Sequence, residues 1–460
     1  MKRAFRNLLT GIVLVLLVIA VFVGPWPVRS SERITYGRPL AGAQEVLAEA
    51  LDSDDTDGTA PVAFSRSGPV RAGWATVPLV LPPDTPLAGY GDRRGAPNEG
   101  YLDDLEAGAV VLSSGDARVA IVSADLLIVP ANIARKVRDA LGFPVLFSAT
   151  HTHGGPGAAT RGLVARAFGG AFDPEVEAVI VESMVAAVTQ ALMVSSPVSF
   201  TVEQLNREQF IRNRTRDQTA GYPPTDPYLD LVTLETEAQG RLTLIRYSAH
   251  ATIIPADQMR FSGGYPKALR TAFEDRFGGQ AFFLAGAMGS MSPAVPAGVG
   301  EPRHQTYAEA LIDSLPEQRP EEIEPVSALS VVDLSFRGPP VQLRLTRILR
   351  LSPLFLASQG VDRRLRLTAV RVGSLVLIGF PADLSGEIGA ALRHEYAASG
   401  VTVIPLSFSG DYIGYLSPDA YFADLRDDGG LAYETGIMSW AGPNQERFFV
   451  ELARRVIESL

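Results

Sequence analysis

Apolar residues fall along this chain as one unbroken block followed by two alternating rhythms. The block is residues 8–23, which carry no charge; Lys2, Arg3 and Arg6 precede it and Gly24-Pro25-Trp26-Pro27 closes it. Counted through Trp26, the run approaches the ~20 residues that cross a bilayer. Positive residues ahead of such a run stay in the cytoplasm. The pattern therefore predicts a transmembrane or signal-anchor helix over 1–27, uncleaved, with the body on the periplasmic or extracellular face. Residues 28–69 are rich in Ser, Asp, Gly and Arg, with one helical stretch at 43–51, and read as a linker. Within it, Ser53-Asp54-Asp55-Thr56-Asp57-Gly58 reads as a solvated loop.

Beyond residue 70, short apolar runs alternate with helical periodicities. The runs 109–112 and 119–123 flank Ser114-Gly115-Asp116, which is strand, turn, strand. Val129, Ile133, Val137 and Leu141 recur every four residues and predict a helix over 130–141. A strand at 145–147, a broad-faced helix at 174–195 and a strand at 198–205 follow. Hairpins are predicted at 230–235 with 242–247 and at 367–372 with 375–380, and further strands at 281–284, 326–336 and 401–408. Helices at 387–398 and 446–460 complete the series. The whole predicts an α/β (α+β) fold, a mixed β-sheet core flanked by helices, in one domain over 70–460.

Composition narrows the function. A net charge of −10 leaves no basic excess to neutralise phosphates, so no nucleic-acid partner is expected. No protein partner is indicated either. Without cysteine, a metal site must use His, Asp, Glu, Tyr or backbone oxygen. There are five histidines, and His151 and His153 stand together in Ser148-Ala149-Thr150-His151-Thr152-His153-Gly154-Gly155-Pro156-Gly157. In extended backbone, residues two apart point to one side, so both imidazoles would face one cavity at a strand end. His250 and Asp383 also follow predicted strands, as do Ser290 and Ser292 in a Gly-bounded turn and a tyrosine cluster from Tyr412 to Tyr433. Arg212, Arg214 and Arg216 form a cationic loop suited to a carboxylate or an oxyanion. Arg344, Arg347, Arg350, Arg363, Arg364 and Arg366 make a basic patch that would suit anionic lipid or an acidic substrate. Gly89, Gly91 and Asp92 read as an ordinary loop, and His304 and His394 as surface residues.

Several of these segments, in one order, resemble the catalytic domain of the neutral/alkaline, non-lysosomal ceramidases. They are the His-Thr-His-x-Gly-Pro-Gly stretch, Asn213-Arg214-Thr215, Ala249-His250-Ala251-Thr252, Gly289-Ser290-Met291-Ser292-Pro293, Gly379-Phe380-Pro381-Ala382-Asp383, and Gly414-Tyr415 with Tyr433-Glu434. The resemblance implies a zinc-dependent amidase acting on the N-acyl amide of a ceramide-like lipid, with one Zn2+ per chain. It implies His151, His250, Asp383 and Tyr415 as zinc ligands, and His153, Arg214, Ser292 and Tyr433 around the scissile amide. Ser292 would position substrate or act as nucleophile. Where the family carries Pro-Gly-Glu this chain carries Pro-Ala-Asp, so the carboxylate ligand is either Asp383 or Glu387. An insertion is expected at 426–430. Another amide or ester substrate on the same zinc site, or an envelope-binding protein with a decayed site, remains an open alternative.

Overall fold

The computed structural model describes residues 2–29, 36–53, 61–215, 223–296, 300, 302–317, 324–346, 348–359, 361, 364–426 and 433–460. The expected loop residues 54–58, the insertion residues 427–430, and Arg216, Arg347 and Arg363 lie outside them.

Two mixed sheets form the body. The larger has nine strands, and its main path runs Gln280–Ala285, Gly240–Tyr247, Tyr228–Thr236, Ser196–Asn206, Arg71–Pro78, Glu106–Ser114, Ala117–Ala124, Val145–Ala149. Its two outermost pairs are parallel and the rest of the path is antiparallel. The smaller runs Thr402–Leu406, Leu375–Gly379, Arg364–Val372, Ala328–Arg337, Val62–Ser67. Along 106–114 successive side chains go to opposite faces: Ala109 and Val111 join a core under helices, while Val110 and Leu112 join a core shared with the second sheet. Strands covered on both faces read as continuous apolar runs, which is why the sequence shows blocks there rather than alternation.

Helices Ala131–Leu141, Pro174–Met193, Gly264–Phe277 and Arg303–Asp313 cover the large sheet. Helices Gly37–Ser53, Gly386–Ala397 and Gln445–Ser459 cover the small one. The layering is thus helix, sheet, sheet, helix. Local chemistry sets the ends: Asp173 caps Pro174–Met193 by accepting from Glu175 N at 2.9 Å, and Gly142, at φ 71°, ends 131–141 in a left-handed turn.

Three sequence expectations change. The segment expected as a linker carries the 37–53 helix, whose Ala43, Leu47 and Ala50 are core residues, and the 62–67 strand, paired to 328–337. The helix Gly264–Phe277 was not foreseen; it follows Gly263 and carries Pro266 in its first turn. His304 is buried on the Arg303–Asp313 helix rather than at the surface, because that helix turns the face holding Tyr307 and Leu311 into the core. His394 is exposed, as expected.

The large sheet is curled. Ser148 Oγ accepts from Ala285 N at 2.9 Å and Ser123 Oγ donates to Phe283 O at 2.6 Å, tying together opposite edges of the strand order. The strands preceding His151 and His250 are six inter-strand steps apart in that order, which in a flat sheet would be roughly 29 Å at ~4.8 Å per step. The curl removes that distance.

Candidate metal centre

His151 follows the 145–149 strand at φ 60°, a left-handed backbone that costs a non-glycine residue on the order of 1 kcal/mol. Two contacts hold it there. Its ring stacks on Phe408 with centroids 3.9 Å apart and planes 6° from parallel, and its Nδ1 lies 2.7 Å from Leu127 O. His250 follows the 240–247 strand, with Nδ1 3.1 Å from Met288 O. A carbonyl can only accept, so each Nδ1 carries the proton and each Nε2 presents a lone pair. The two Nε2 atoms face one another at 2.9 Å. Protonating either ring would relieve the clash of lone pairs, but burial opposes it: His151 is pushed down to about 3, chiefly by desolvation, and His250 well below the usual histidine range by desolvation and then by Arg214.

Asp383 lies beyond the 375–379 strand of the other sheet, fully buried, with one carboxylate oxygen 4.0 Å from His151 Nε2. Neither of its oxygens makes a hydrogen bond of ordinary geometry. Burial raises its carboxyl to about 7, against the pull of Arg214 and of the neighbouring Tyr415 hydroxyl. Glu387, four residues on, is equally buried but saturated. It accepts from Asn213 Nδ2 at 2.6 Å, from Tyr421 Oη at 2.7 Å, and from the hydroxyls of Ser290 and Ser385. Between the two carboxylates the geometry leaves Asp383 open.

His153 completes a cluster of three imidazoles whose ligand atoms lie within 4.8 Å of one another. Both of its ring nitrogens are buried and unpartnered, and burial holds it well below the usual histidine range, helped by His151, Arg93 and Arg214. Thr152, between the two histidines, points elsewhere and donates to Ser262 O at 2.6 Å. The ring of His153 lies against Tyr90, centroids 4.6 Å apart, and over Gly89. A Cβ at Gly89, whose φ is 104°, would come within 2.7 Å of the imidazole, so that position needs glycine. Arg93, whose guanidinium donates to His153 O and to Ala88 O at 2.8 Å, holds this loop from behind.

Tyr415 pairs in parallel register with Asp383. Its hydroxyl accepts from Arg214 Nη2 at 3.0 Å, while the same nitrogen donates to Gly289 O at 2.9 Å. Arg214 Nε is 3.3 Å from Glu434, and the Tyr433 ring lies 5.8 Å from that of Tyr415 and is 47% exposed. Ser292 sits on Met291–Pro293, paired with Ile211–Asn213.

Some of these groups line a cavity of about 810 Å³, within the range of small-molecule sites. His151, His153, Tyr415 and Tyr433 line it; Arg214, His250 and Asp383 stand behind them; Ser292 does not reach its wall. Of the loop residues read as ordinary, Gly89 lines the cavity, while Gly91 and Asp92 are exposed. Phe408, Arg93 and Tyr90 carried no sequence signal, because their roles depend on which remote loop they meet.

The donor set suits a metal ion. Two opposed lone pairs, an unpartnered imidazole and an orphaned buried carboxylate are a costly arrangement alone and a suitable one around a cation.

No protein-family model matches the sequence, and no curated protein matches it. Among solved structures, the neutral ceramidase from Pseudomonas aeruginosa shares the fold, with a TM-score of 0.66 and 18% identity, covering 86% of this chain and 75% of that one. A ceramidase complexed with C2 aligns with a TM-score of 0.66 and 17% identity, covering 85% of this chain and 76% of the other. The family resemblance read from the ordered motifs is thus matched by a shared fold over most of the chain.

Proposed function

We propose that this protein is a membrane-anchored, exported zinc amidohydrolase that cleaves the N-acyl amide of a lipid-like, ceramide-related substrate. The observation that carries this reading is the pair of histidine lone pairs opposed at 2.9 Å near a buried carboxylate, with His151 also lining the cavity. His151, His250 and Asp383, with Tyr415, would hold the ion. Bound there, zinc supplies a Lewis acid for the amide carbonyl and lowers the pKa of water toward ~7.

The chain's own residues provide the rest. His153 faces the cavity with both ring nitrogens unpartnered, placed to relay a proton to the leaving amine. Arg214 donates to the Tyr415 hydroxyl and so fixes its direction. Tyr433, half-exposed at the rim, can donate to a developing oxyanion. Ser292 is not among the residues lining the cavity, and a zinc-activated water makes a second nucleophile unnecessary in this scheme. An acyl chain would run along Leu127, Ile128, Val164, Phe168, Phe172 and Val361.

The approach to the cavity supports a lipid. The apolar helix Lys2–Phe22 is exposed along its span. Its end is bonded to the body by Ser352, which donates to Val21 O at 3.1 Å and Val23 O at 3.0 Å. The helix Pro353–Ser358 starts at that junction, and its Ala357 lines the cavity. Exposed Ile348 and Leu354 lie beside it in sequence. A bilayer holding the apolar helix would therefore lie near the cavity mouth.

The test is metal content and turnover on the detergent-purified full chain. The expected result is about one zinc per chain, and hydrolysis of a fluorogenic ceramide that a chelator abolishes and zinc restores. A chain with neither zinc nor chelator-sensitive hydrolysis of an amide would overturn the reading.

A further inference from the structure

Among the described residues six arginines are buried: Arg93, Arg138, Arg246, Arg270, Arg350 and Arg393. Five of them have partners. Arg246 meets Asp226 and Asp230, Arg270 meets Asp125 at 2.8 Å, and Arg393 meets Asp230 at 2.6 Å. Arg93 donates to backbone carbonyls, and so does Arg350, to Pro27 O at 2.9 Å. Arg138 is the exception. It is 5% exposed, its Nε and Nη2 are buried without a hydrogen-bond partner, and no carboxylate lies within 4.0 Å of it among the described residues. A guanidinium stays charged and offers five N–H donors, and a buried charge without a partner costs several kcal/mol.

The acids nearby are occupied or stand off. Asp333 accepts from Arg366 and, at 2.8 Å, from Thr368; Asp411 accepts from Arg366 N at 2.7 Å. Arg138 itself lines the same cavity as His151 and His153. Its guanidinium lies 4.9 Å from the centroid of Phe147, on the strand that delivers His151. The loop after Leu406 touches both ends of this arrangement. Phe408 stacks on His151, and a Cβ at Gly410 would come within 2.8 Å of Arg138 Nη2. The wall around Arg138 carries Arg135, Arg161, Arg364 and Arg366 as well, against Asp139, Asp411 and a Glu177 already paired with Lys136 at 2.7 Å. With Arg366 engaged by Asp333, the arginines of this wall still outnumber its acids.

We propose that Arg138 is the centre of an anion subsite in the cavity, and that the substrate is an acidic lipid amide, an N-acyl compound bearing a carboxylate or similar anionic group. The proposal rests on the amidohydrolase reading above and specifies its substrate class. The amide would lie over His151 and His153, the acyl chain along the apolar wall, and the anion against the unpartnered face of Arg138 in a charge-assisted, forked contact. A neutral ceramide offers this guanidinium only hydroxyls.

Trp440 lines the cavity, so its fluorescence reports occupancy. The zinc-loaded full chain is titrated with N-dodecanoylglycine and, separately, with its methyl ester, and hydrolysis of both is measured. The acid is expected to bind about 10- to 100-fold more tightly than the ester, the range of hydrogen bonds to a charged group. Arg138→Leu, with zinc content and unfolding midpoint as controls for the fold, should bring the acid to the level of the ester, and Arg138→Lys should keep part of the preference. Equal binding of acid and ester by the unaltered chain overturns the subsite without any variant. A preference that survives Arg138→Leu also overturns it, because the metal or another cation would then be its source. A chain that binds the acid through Arg138 yet hydrolyses neither amide leaves the subsite standing and counts against the hydrolase reading instead.

Discussion

Asp383 and Glu387 are four residues apart, both wholly buried, and the fold treats them in opposite ways. Glu387 is surrounded by four donors drawn from the 211–213 strand, the 289–293 turn, its own helix start and Tyr421. Asp383 has none of ordinary geometry, and one of its oxygens lies 4.0 Å from His151 Nε2, whose lone pair opposes that of His250. A buried carboxylate that the protein satisfies is part of the scaffold. One that the protein leaves unsatisfied, among other unsatisfied donors, is a site that awaits a cation. Glu387 is engaged in bracing the segments that carry Asn213 and Ser290.

The sharpest way to break this comparison is to neutralise each acid in turn. Asp383→Asn should lower zinc affinity by at least about 100-fold, with hydrolysis falling in parallel, and leave the unfolding midpoint of the metal-free chain unchanged or higher. Isothermal titration with zinc and a thermal melt read both quantities. Glu387→Gln should do the reverse: zinc binds at full stoichiometry, while stability falls by about 2–4 kcal/mol because four donors lose their charged acceptor. Zinc lost from Glu387→Gln and kept by Asp383→Asn would exchange the two assignments.

A smaller effect sharpens the same distinction at a third buried acid. Burial raises the Asp411 carboxyl from its ordinary 3.8 to about 7, against the pull of Arg138. The native state therefore holds a proton that the unfolded chain has released, and this contribution to stability is full below about pH 4 and lost as pH rises through 7. Asp411→Asn removes the titration, so its stability relative to the unaltered chain should rise between pH 4.5 and 7.5. Urea unfolding at a series of pH values measures it; a flat difference across that window would show that Asp411 is ionised in the fold throughout.

Much of the site was legible because its local geometry is written in adjacent residues. A short apolar run followed by His-Thr-His and glycines predicts a strand end with two imidazoles facing one cavity, and both rings do line it, although His151 is left-handed at φ 60° rather than extended. His250 and Asp383 were found the same way, each just past an apolar run. What failed was also local in origin: the 62–67 strand lies in a polar neighbourhood and owes its place to pairing with 328–337. The helix at 264–277 opens on glycine and carries proline in its first turn.

The sequence by itself determined the periodicities, the strand ends and the order of motifs along the chain, since those depend on neighbours a few residues away. Tertiary structure alone decided which strand ends meet, through a curl that brings His151 and His250 together from the two sides of a nine-stranded sheet. It alone decided that Glu387 is saturated with donors, and that among the described residues Nε and Nη2 of the buried Arg138 have no hydrogen-bond partner. The physical reason is the same in each case. Whether a polar group is satisfied depends on donors and acceptors that arrive from distant segments, and no stretch of chain carries that information about itself.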